Sequence, residues 1–382
     1  MMNCPVCGNS EVEKVIVTES VPVLVNQQFD TALDSSSVNR GRIDLVICLQ
    51  CGHFYNQEFN ANLISYSARY ENALHYSGVF RDYLERLAVE ISENLPILGT
   101  RILEIGAGQG DFLAMLVAAG AKQGIGFDPS YRGGKLADRV EVFPELFNTP
   151  TTERFDLAIA RHVLEHLENP ANVLDNISKS LKEDGRIYIE VPNAMYTIKE
   201  SGIWDLIYEH VSYFSDSSLQ TVINQSGFTK IGLKHRYENQ FLSISGKLGE
   251  AKTFSSDLQI QIHSLLSLAR EFRKVYIEKI ARWQEQLERW DKQNVSVFIW
   301  GAGSKGCTFV NLFRHHSCIK GLIDINPLKK GLFAAGTGLQ ILPPEALNRM
   351  KPDIVIVMNS IYQDEIQNNL QRLNLNTRIE AA

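Results

Sequence analysis

The chain has 382 residues, of which 44% are hydrophobic and 21% charged, and its formal net charge is −6. Such a composition is typical of a folded globular protein and argues against disorder. Because no block of Lys and Arg stands out, we expect neither nucleic acid nor a membrane as the main partner. No apolar run approaches the roughly 18 residues that span a bilayer, and the first residues lack the pattern of a signal peptide, so we expect a cytoplasmic protein.

The first region, about residues 1–65, is predicted to be a small zinc-binding domain. It contains two C-x-x-C pairs, each followed by glycine: Cys4 and Cys7, then Cys48 and Cys51. In a reducing compartment such pairs indicate a metal site before a disulfide. Four thiolates complete a tetrahedral Zn²⁺ site and leave no open position for catalysis, so we expect a structural metal. Two unrelated pairs of buried cysteines are the alternative.

The second region, about residues 66–250, alternates apolar strands with helical segments, which predicts an α/β fold with a doubly wound parallel sheet. Its first strand leads into a turn with the pattern E-x-G-x-G-x-G: Glu104, Gly106, Gly108 and Gly110. The next strand ends at Asp128. Glycine lets a ligand approach backbone N–H groups, and a carboxylate at Asp128 can accept hydrogen bonds from ribose hydroxyls.

This combination predicts a bound adenosyl nucleoside. The pattern E-x-G-x-G-x-G differs from the G-x-G-x-x-G of dinucleotide sites, so S-adenosylmethionine is favoured over NAD. The pattern resembles class I methyltransferases, which implies that the turn holds the methionine part of the cofactor and that Asp128 holds the ribose. A turn kept only for the fold is the alternative.

The segment after a later strand contains the pattern H-x-x-E-H, formed by His162, Glu165 and His166. Zinc peptidases use this pattern on a helix, where both imidazoles reach one face. Since class I methyltransferases also place a helix after this strand, we interpret His162 as a neighbour of the cofactor. We expect His166 to be structural, and a metal at this position is the less favoured alternative.

The third region, about residues 251–382, begins with a helical linker at 255–293 and is predicted to continue as a Rossmann-like α/β domain. The strand 295–300 precedes a glycine-rich loop, and Asp324 ends the following strand. This spacing matches a dinucleotide fingerprint and could cradle a phosphate beside Lys305. An NAD site of a fused dehydrogenase and a loop kept only for the fold are the alternatives.

A polar cluster, Tyr208-Glu209-His210, stands shortly before Tyr213. A neighbouring carboxylate tends to raise the pKa of a histidine, and burial tends to lower it. In a pocket, His210 could therefore act as a general base near neutral pH. A purely structural histidine is the alternative.

The order of these regions and motifs resembles the sugar C-methyltransferases of deoxysugar biosynthesis, over essentially all 382 residues. Those enzymes combine an N-terminal zinc-binding domain, an S-adenosylmethionine domain and a C-terminal Rossmann-like domain. The resemblance implies methylation of a carbon beside the ketone of a nucleotide-linked 4-keto sugar, through an enolate. It also implies that His210 removes the proton, that Glu209 orients it or binds the sugar, and that Tyr208 completes the catalytic group.

The same resemblance implies a set of acceptor-binding residues: Tyr70, Tyr213, Gly301, Gly303, Ser304, Lys305, Asn359 and Tyr362. Three stretches depart from the family's pattern, and one of them, residues 66–72, looks more like that of a sister group. Tyr208 directly precedes Glu209, whereas the resembling enzymes carry one residue between them, and residues 238–242 replace a His-Gly-Gly-Ser-type segment. O- or N-methylation of another small metabolite therefore stays open, an NAD-dependent oxidoreductase is less favoured, and a non-catalytic cofactor-binding protein is the last alternative.

Overall fold

The computed structural model describes residues 2–66, 69–95, 97–249 and 258–382. Within these ranges the strands form four sheets, of four, seven, five and two strands. The two largest sheets confirm the predicted α/β class. None of the helices in these ranges combines the length and the apolar character that crossing a membrane requires.

The amino-terminal region is built on an antiparallel ribbon. Its elements are β1 (Val12–Pro22), β2 (Gln28–Phe29), α1 (Ala32–Ser36), β3 (Arg40–Cys48) and β4 (Phe54–Asn56). β3 pairs with β1 on one side and with β4 on the other, and register shifts within β1 let the ribbon bend. Large side chains of β3 and β4, such as those of Ile43 and Phe54, are fully buried, so this small region contributes to a packed core.

The middle region carries the seven-stranded sheet. Its first half contains α2 (Gly78–Asn94), β5 (Arg101–Ile105), α3 (Asp111–Ala118), β6 (Gln123–Phe127), β7 (Val140–Phe143) and β8 (Phe155–Arg161). Its second half contains α4 (Pro170–Ser180), β9 (Leu181–Pro192), α5 (Ala194–Lys199), β10 (Ser212–Tyr213), α6 (Asp216–Gln225), β11 (Phe228–Arg236) and β12 (Phe241–Leu248).

The strand order of this sheet is β11-β12-β9-β8-β5-β6-β7. β12 pairs antiparallel with both of its neighbours, β11 and β9, and the strands from β9 to β7 pair in parallel. Apolar side chains of β5 point alternately to both faces. Ile102 packs with α2 and α3, whereas Leu103 packs with α4 and α6. From β5 the chain runs to β6 and β7 on one side and later to β8 and β9 on the other. Such a reversal opens a crevice at the carboxyl ends of the strands.

The C-terminal region begins with the long helix α7 (Leu258–Lys292), which lies where the helical linker is predicted; residues 255–257 of that prediction fall outside the described ranges. The elements that follow are β13 (Val297–Trp300), α8 (Ser304–Leu312), β14 (Ile319–Ile323), β15 (Phe333–Ala334), β16 (Ile341–Leu342), α9 (Leu347–Met350), β17 (Ile354–Val357), α10 (Gln363–Arg372) and β18 (Arg378–Ala381). The parallel sheet has the order β16-β14-β13-β17-β18.

Short strand pairs join the three regions. β10 of the middle region pairs with β4, and β15 of the C-terminal region pairs with β2. The hydroxyl of Tyr276 on α7 lies 3.0 Å from that of Thr18 on β1. The predicted domain boundaries near residues 65 and 250 stay predictions, and the second falls in a stretch outside the described ranges.

Candidate active site

The carboxyl ends of the two parallel sheets open onto one cavity of about 630 Å³, named here the central cavity. Residues that follow β5, β6 and β8 line one side, which we call the first edge. Residues that follow β13, β14 and β17 line the other side, which we call the second edge. Ligands of open α/β sheets bind beyond the carboxyl ends of the strands, so the cavity offers two binding edges in one space.

The glycine turn of the first edge needs glycine for conformation and for space. Gly106, Gly108 and Gly110 have φ angles of 71°, 56° and 85°, which other residues rarely adopt. A Cβ at Gly106 would lie 2.3 Å from Cγ2 of Val163, whereas one at Gly108 would meet no atom within 4 Å. Gly108 therefore presents bare backbone to open space, as a bound cofactor requires.

Asp128, directly after β6, holds this turn in place. Its Oδ2 accepts a hydrogen bond from the Gly108 N–H at 2.7 Å, and its Oδ1 accepts from the N–H and the hydroxyl of Ser130 at 2.7 and 2.6 Å. A carboxylate offers about four acceptor positions, so about one is left for a ribose hydroxyl.

Glu104 and Arg161 place groups of opposite charge at the first edge. Glu104 is 2% exposed, and its Oε2 has no hydrogen-bond partner among the described residues. Burial raises the pKa of Glu104 to about 7, against the influence of Arg161. The Arg161 guanidinium lies 4.3 Å from the ring centre of Phe112, and its Nε lies 3.3 Å from Oε1 of Glu190. These two side chains suit the amino-acid part of S-adenosylmethionine, whose ammonium group would lie beside Glu104 and whose carboxylate would lie beside Arg161.

His162 is a part of the cavity wall and lies between two carboxylates. Its backbone has a left-handed φ of 55°, and its N–H donates to the carbonyl oxygen of Glu190 at 2.8 Å. Its imidazole lies 3.7 Å from the carboxylate of Glu165 and 3.4 Å from that of Glu190, and it packs edge-on against Phe241. Burial lowers the pKa of His162, but the two carboxylates outweigh burial and raise it to about 9.

The expectation of a helix directly after β8 is wrong. Residues 164–166 form a single 3-10 turn, and α4 begins only at Pro170. The start signal lies there, because the side chain of Asn169 accepts from the N–H of Asn172 and proline occupies the first helical position. His162 and His166 therefore do not share a helix face.

His210 lines the central cavity, as predicted for a base. Burial lowers the pKa of His210 well below its usual value, and the charges of His166 and His162 lower it further. The ring is consequently neutral near pH 7 and keeps a lone pair for a proton. Its centre lies 4.9 Å from the His166 ring and 5.9 Å from the Tyr213 ring.

Glu209 is fully buried behind the cavity wall. Its Oε2 accepts a hydrogen bond from the Tyr70 hydroxyl at 2.5 Å, and its Oε1 accepts from the N–H of Val25 at 3.1 Å. Its backbone carbonyl oxygen lies 3.0 Å from Nδ1 of His166. Glu209 thus acts on the cavity through Tyr70 and His166, which both line it.

The side chain of Tyr208 points away from the central cavity. Its hydroxyl accepts from the N–H of Asn60 at 2.9 Å, and its ring stacks on Phe59. Ile207 lines the cavity instead. The Tyr213 ring lines the cavity, while its hydroxyl bonds the backbone N–H and carbonyl of Ile207.

The sequence predicts a structural role for His166, and it predicts no site role for Tyr66. In the fold, Nδ1 of His166 lies 3.2 Å from the Tyr66 hydroxyl, and both residues line the cavity beside His210. The H-x-x-E-H pattern was the available signal for His166. Nothing in the local sequence around Tyr66 distinguishes it from a packing residue.

The loop of the second edge is shaped to receive an anion. A Cβ at Gly301 or Gly303 would meet no atom within 4 Å, whereas one at Gly306 would lie 1.9 Å from the carbonyl oxygen of Gly301. α8 begins at Ser304 without a side-chain cap, so no capping side chain competes with a ligand for its first N–H groups. Such helix ends attract phosphate.

Charged groups flank this loop. Lys305 forms an ion pair with Asp205, with Nζ 2.6 Å from Oδ2. Asp324 accepts from the N–H of Ala302 at 2.9 Å, and Nζ of the buried Lys329 lies 3.4 Å from the same carboxylate. The hydrogen bond from the loop N–H to Asp324 is equivalent to the hydrogen bond from Gly108 to Asp128 in the first edge.

Asn359 and Tyr362 lie where the two edges meet. The side-chain amides of Asn359 and Gln240 exchange two hydrogen bonds of 2.7 and 3.1 Å, and the hydroxyls of Tyr362 and Tyr237 are 2.8 Å apart. All four residues line the cavity. These two predicted acceptor residues therefore also join the C-terminal region to the middle region.

The four predicted zinc ligands converge outside the central cavity. The Sγ atoms of Cys4 and Cys51 are 3.6 Å apart, those of Cys7 and Cys48 are 3.5 Å apart, and all four thiols are free. Zinc–sulfur bonds of about 2.3 Å in a tetrahedron separate the sulfurs by about 3.8 Å, so this thiol cluster fits a Zn²⁺ ion.

Comparison with known proteins assigns the middle and C-terminal regions separately. Residues 73–233 match the family model described as a methyltransferase domain, and residues 260–377 match the one described as a C-methyltransferase C-terminal domain. C-methyltransferase NovU of Streptomyces niveus is 23% identical, over 96% of this chain and 91% of that protein. A tRNA U34 carboxymethyltransferase of Aeromonas salmonicida is 26% identical over 36% of this chain and 46% of its own length.

Among solved structures, an S-adenosylmethionine-dependent methyltransferase from Mesorhizobium loti aligns with 44% of this chain and all of its own, at a TM-score of 0.37 and 15% identity. The 1,6-didemethyltoxoflavin-N1-methyltransferase of Burkholderia thailandensis aligns with 45% of this chain and 82% of its own, at a TM-score of 0.36 and 19% identity. The two family models and the relative that spans nearly the whole chain confirm the family resemblance seen in the sequence. The chain therefore combines a methyltransferase domain with a C-methyltransferase C-terminal domain, and it is an S-adenosylmethionine-dependent methyltransferase with a class I fold in its middle region.

Proposed function

We propose that this enzyme methylates a carbon next to the ketone of a nucleotide-linked 4-keto deoxysugar. The central cavity carries the proposal, because it joins a cofactor edge, the neutral imidazole of His210 and an uncapped helix suited to phosphate. The relative named a C-methyltransferase supports it, since its alignment spans both edges.

S-adenosylmethionine supplies an electrophilic methyl group when it is bound at the first edge. We assign its amino-acid part to Glu104 and Arg161 and its ribose to Asp128. His162 lines the cavity next to these residues. Their shared task is to hold the methyl group in line with the acceptor carbon, and positioning of this kind accounts for a large part of the barrier reduction.

In the proposed reaction, His210 takes a proton from the carbon beside the ketone. The electron pair of that C–H bond moves into an enolate, and the enolate carbon then attacks the methyl group. The lone pair of a neutral imidazole makes this step possible. Glu209 is a positioning residue in this scheme, because it touches the cavity only through Tyr70 and His166. Tyr208 is assigned to the packing around Asn60 and takes no part in the chemistry.

The nucleotide is assigned to the second edge. Its diphosphate would meet the N–H groups at the start of α8, at Gly303 and Ser304, and its ribose would approach Asp324. Lys305 would exchange its partner Asp205 for a phosphate oxygen. Asn359 and Tyr362 would frame the sugar between the edges.

A structural Zn²⁺ ion is part of the same proposal, held by Cys4, Cys7, Cys48 and Cys51. The spacing of the sulfurs supports it. The thiol cluster lies outside the central cavity, so the ion stabilises the amino-terminal region and takes no part in methyl transfer.

Hydrogen–deuterium exchange at the acceptor carbon tests the proposal without methyl transfer. The enzyme, incubated with a 4-keto nucleotide-sugar in deuterated water, should incorporate deuterium beside the ketone, because proton removal by His210 is reversible. The same sugar reduced to the 4-hydroxyl compound is the matched control and should show no exchange. An enzyme that exchanges no keto sugar but methylates a hydroxyl or an amine would contradict C-methylation.

A further inference from the structure

Glu165, His166 and His210 bring their ligand atoms together inside the central cavity. One carboxylate oxygen and two imidazole nitrogens all lie within 4.8 Å of one another. Glu165 and His166 come from the 3-10 turn after β8, and His210 comes from the loop before β10. Two imidazoles and one carboxylate are the donor set of many catalytic zinc and non-haem iron sites.

One oxygen of the buried Glu165 carboxylate lacks a hydrogen-bond partner among the described residues. Glu165 is 1% exposed, and the oxygen without a partner is Oε2. Its other oxygen, Oε1, lies 3.7 Å from Nδ1 of His162. A buried carboxylate oxygen without a partner costs free energy, which a bound cation would recover.

Nδ1 of His166 contacts oxygen atoms of the protein, which leaves Nε2 as the nitrogen available to a metal. Its Nδ1 lies 3.0 Å from the backbone carbonyl oxygen of Glu209. If Nδ1–H donates there, Nε2 carries the lone pair. Metal-ligating histidines typically fix their tautomer by a hydrogen bond of this kind to a carbonyl or carboxylate.

Three protein ligands would leave coordination positions open to a ligand that enters from the cavity. All three residues line the central cavity. The turn at 164–166 carries Glu165 and His166, and the ring of His166 contacts the ring of His210 at an angle of 75°. A fourth ligand would be water or an oxygen of the acceptor.

We propose that Glu165, His166 and His210 form a binding site for a divalent transition-metal ion, and that an ion bound there blocks proton removal by His210. Coordination uses the lone pair that the base needs. The blocking effect rests on the proposed function, whereas binding of the metal does not. The H-x-x-E-H pattern thus contributes Glu165 and His166 as ligands. Its first histidine, His162, lies between two carboxylates and is replaced as a ligand by His210.

Titration with Co²⁺ tests the site on the full chain. Co²⁺ should bind to one site per chain beyond the thiol cluster and give ligand-field absorption without a thiolate charge-transfer band. Glu165→Gln and His166→Asn should each weaken this binding by more than the roughly 10–100-fold typical of an outer-shell change. His235→Asn is the control, because His235 is an exposed histidine paired with Asp216. No such band, or a band that survives both variants, would overturn the site.

Deuterium exchange with a 4-keto nucleotide-sugar then tests the block. Zn²⁺ should abolish exchange by the wild type at the concentration at which it displaces Co²⁺. Exchange that is unchanged or accelerated by bound Zn²⁺ would overturn the block. If no keto sugar exchanges at all, the proposed function fails, while the Co²⁺ titration still decides whether the metal site exists.

Discussion

The two edges of the central cavity are built alike but differ in charge. Each has a strand, a glycine turn and a helix, and in each an aspartate after the next strand accepts a turn N–H: Asp128 from Gly108, and Asp324 from Ala302. Two residues before the first glycine of the first edge stands Glu104, whose buried Oε2 has no hydrogen-bond partner among the described residues. At the corresponding place the second strand has the buried, apolar Ile299, and Lys305 follows its turn.

The same backbone frame can therefore bind ligand groups of opposite charge at the two edges. A buried carboxylate beside the first turn favours a ligand with an ammonium group, as in an amino acid. An uncapped helix start with Lys305 beside it favours a phosphate. The comparison therefore predicts a cofactor at the first edge, a nucleotide at the second, and chemistry between them.

The largest expected effect is on the residue between the edges. His210→Asn keeps a similar shape but cannot take a proton as imidazole does. Methyl transfer should fall by about 10²–10⁴-fold, the usual contribution of a positioned base. Rapid-quench assays measure the rate, and calorimetry should show unchanged affinity for S-adenosylmethionine. A variant that retains the wild-type rate would move the base role to another cavity residue.

The next effect concerns the first edge. Gly106→Val places a branched side chain 2.3 Å from Val163 in a backbone region that valine avoids. Affinity for S-adenosylhomocysteine should fall by at least about 100-fold, that is about 2.7 kcal/mol. Calorimetry measures it. Gly133→Val is the control, because its φ is also positive but a Cβ there would meet no atom within 4 Å. Equal losses in both variants would point to general strain.

A smaller effect is expected at the second edge. Asp324→Ala removes the acceptor that fixes the N–H of Ala302 and the partner of the buried Lys329. The acceptor KM should rise by about 10-fold, as expected for the loss of one charged hydrogen bond. Affinity for S-adenosylhomocysteine should stay the same. A variant that loses cofactor affinity instead would reverse the assignment of the two edges.

The smallest effect on either edge should follow from the loss of zinc. Cys48→Ser should lower the metal content from about one Zn²⁺ per chain to nearly none and should lower the thermal midpoint. Cofactor affinity of the folded fraction should change by less than about twofold, since the sites share no residues. Cys318→Ser is the control, because Cys318 is buried but far along the chain from this cluster. A metal-free wild type of normal stability would refute the structural ion.

The features that could be predicted from the sequence are local. In each edge, the spacing of the glycines and the aspartate after the next strand belong to one short stretch of chain. The contact between the aspartate and the glycine turn therefore follows from the order of the strands. The two C-x-x-C pairs are also readable, because each supplies two thiols from a short segment. Because one Zn²⁺ ion takes four thiolate ligands, the two pairs could be expected to converge.

The features that could not be predicted depend on distant contacts. Tyr208 is turned outward because its hydroxyl meets the backbone of Asn60, a residue 148 positions away along the chain. His166 acquires its neighbours only when the segment around residue 210 folds over the turn at 164–166. The helix expected after β8 fails to form because His162 adopts a left-handed φ between two buried carboxylates, which no local pattern announces.

Calorimetric binding of two ligands to two matched variants tests the central claim most directly. S-adenosylhomocysteine and a nucleoside diphosphate would each be titrated into Gly106→Val and Gly303→Val. We predict that Gly106→Val loses only S-adenosylhomocysteine and that Gly303→Val loses only the nucleoside diphosphate. A single variant that loses both ligands, or tight binding of NAD that Gly303→Val abolishes, would contradict two edges with separate ligands.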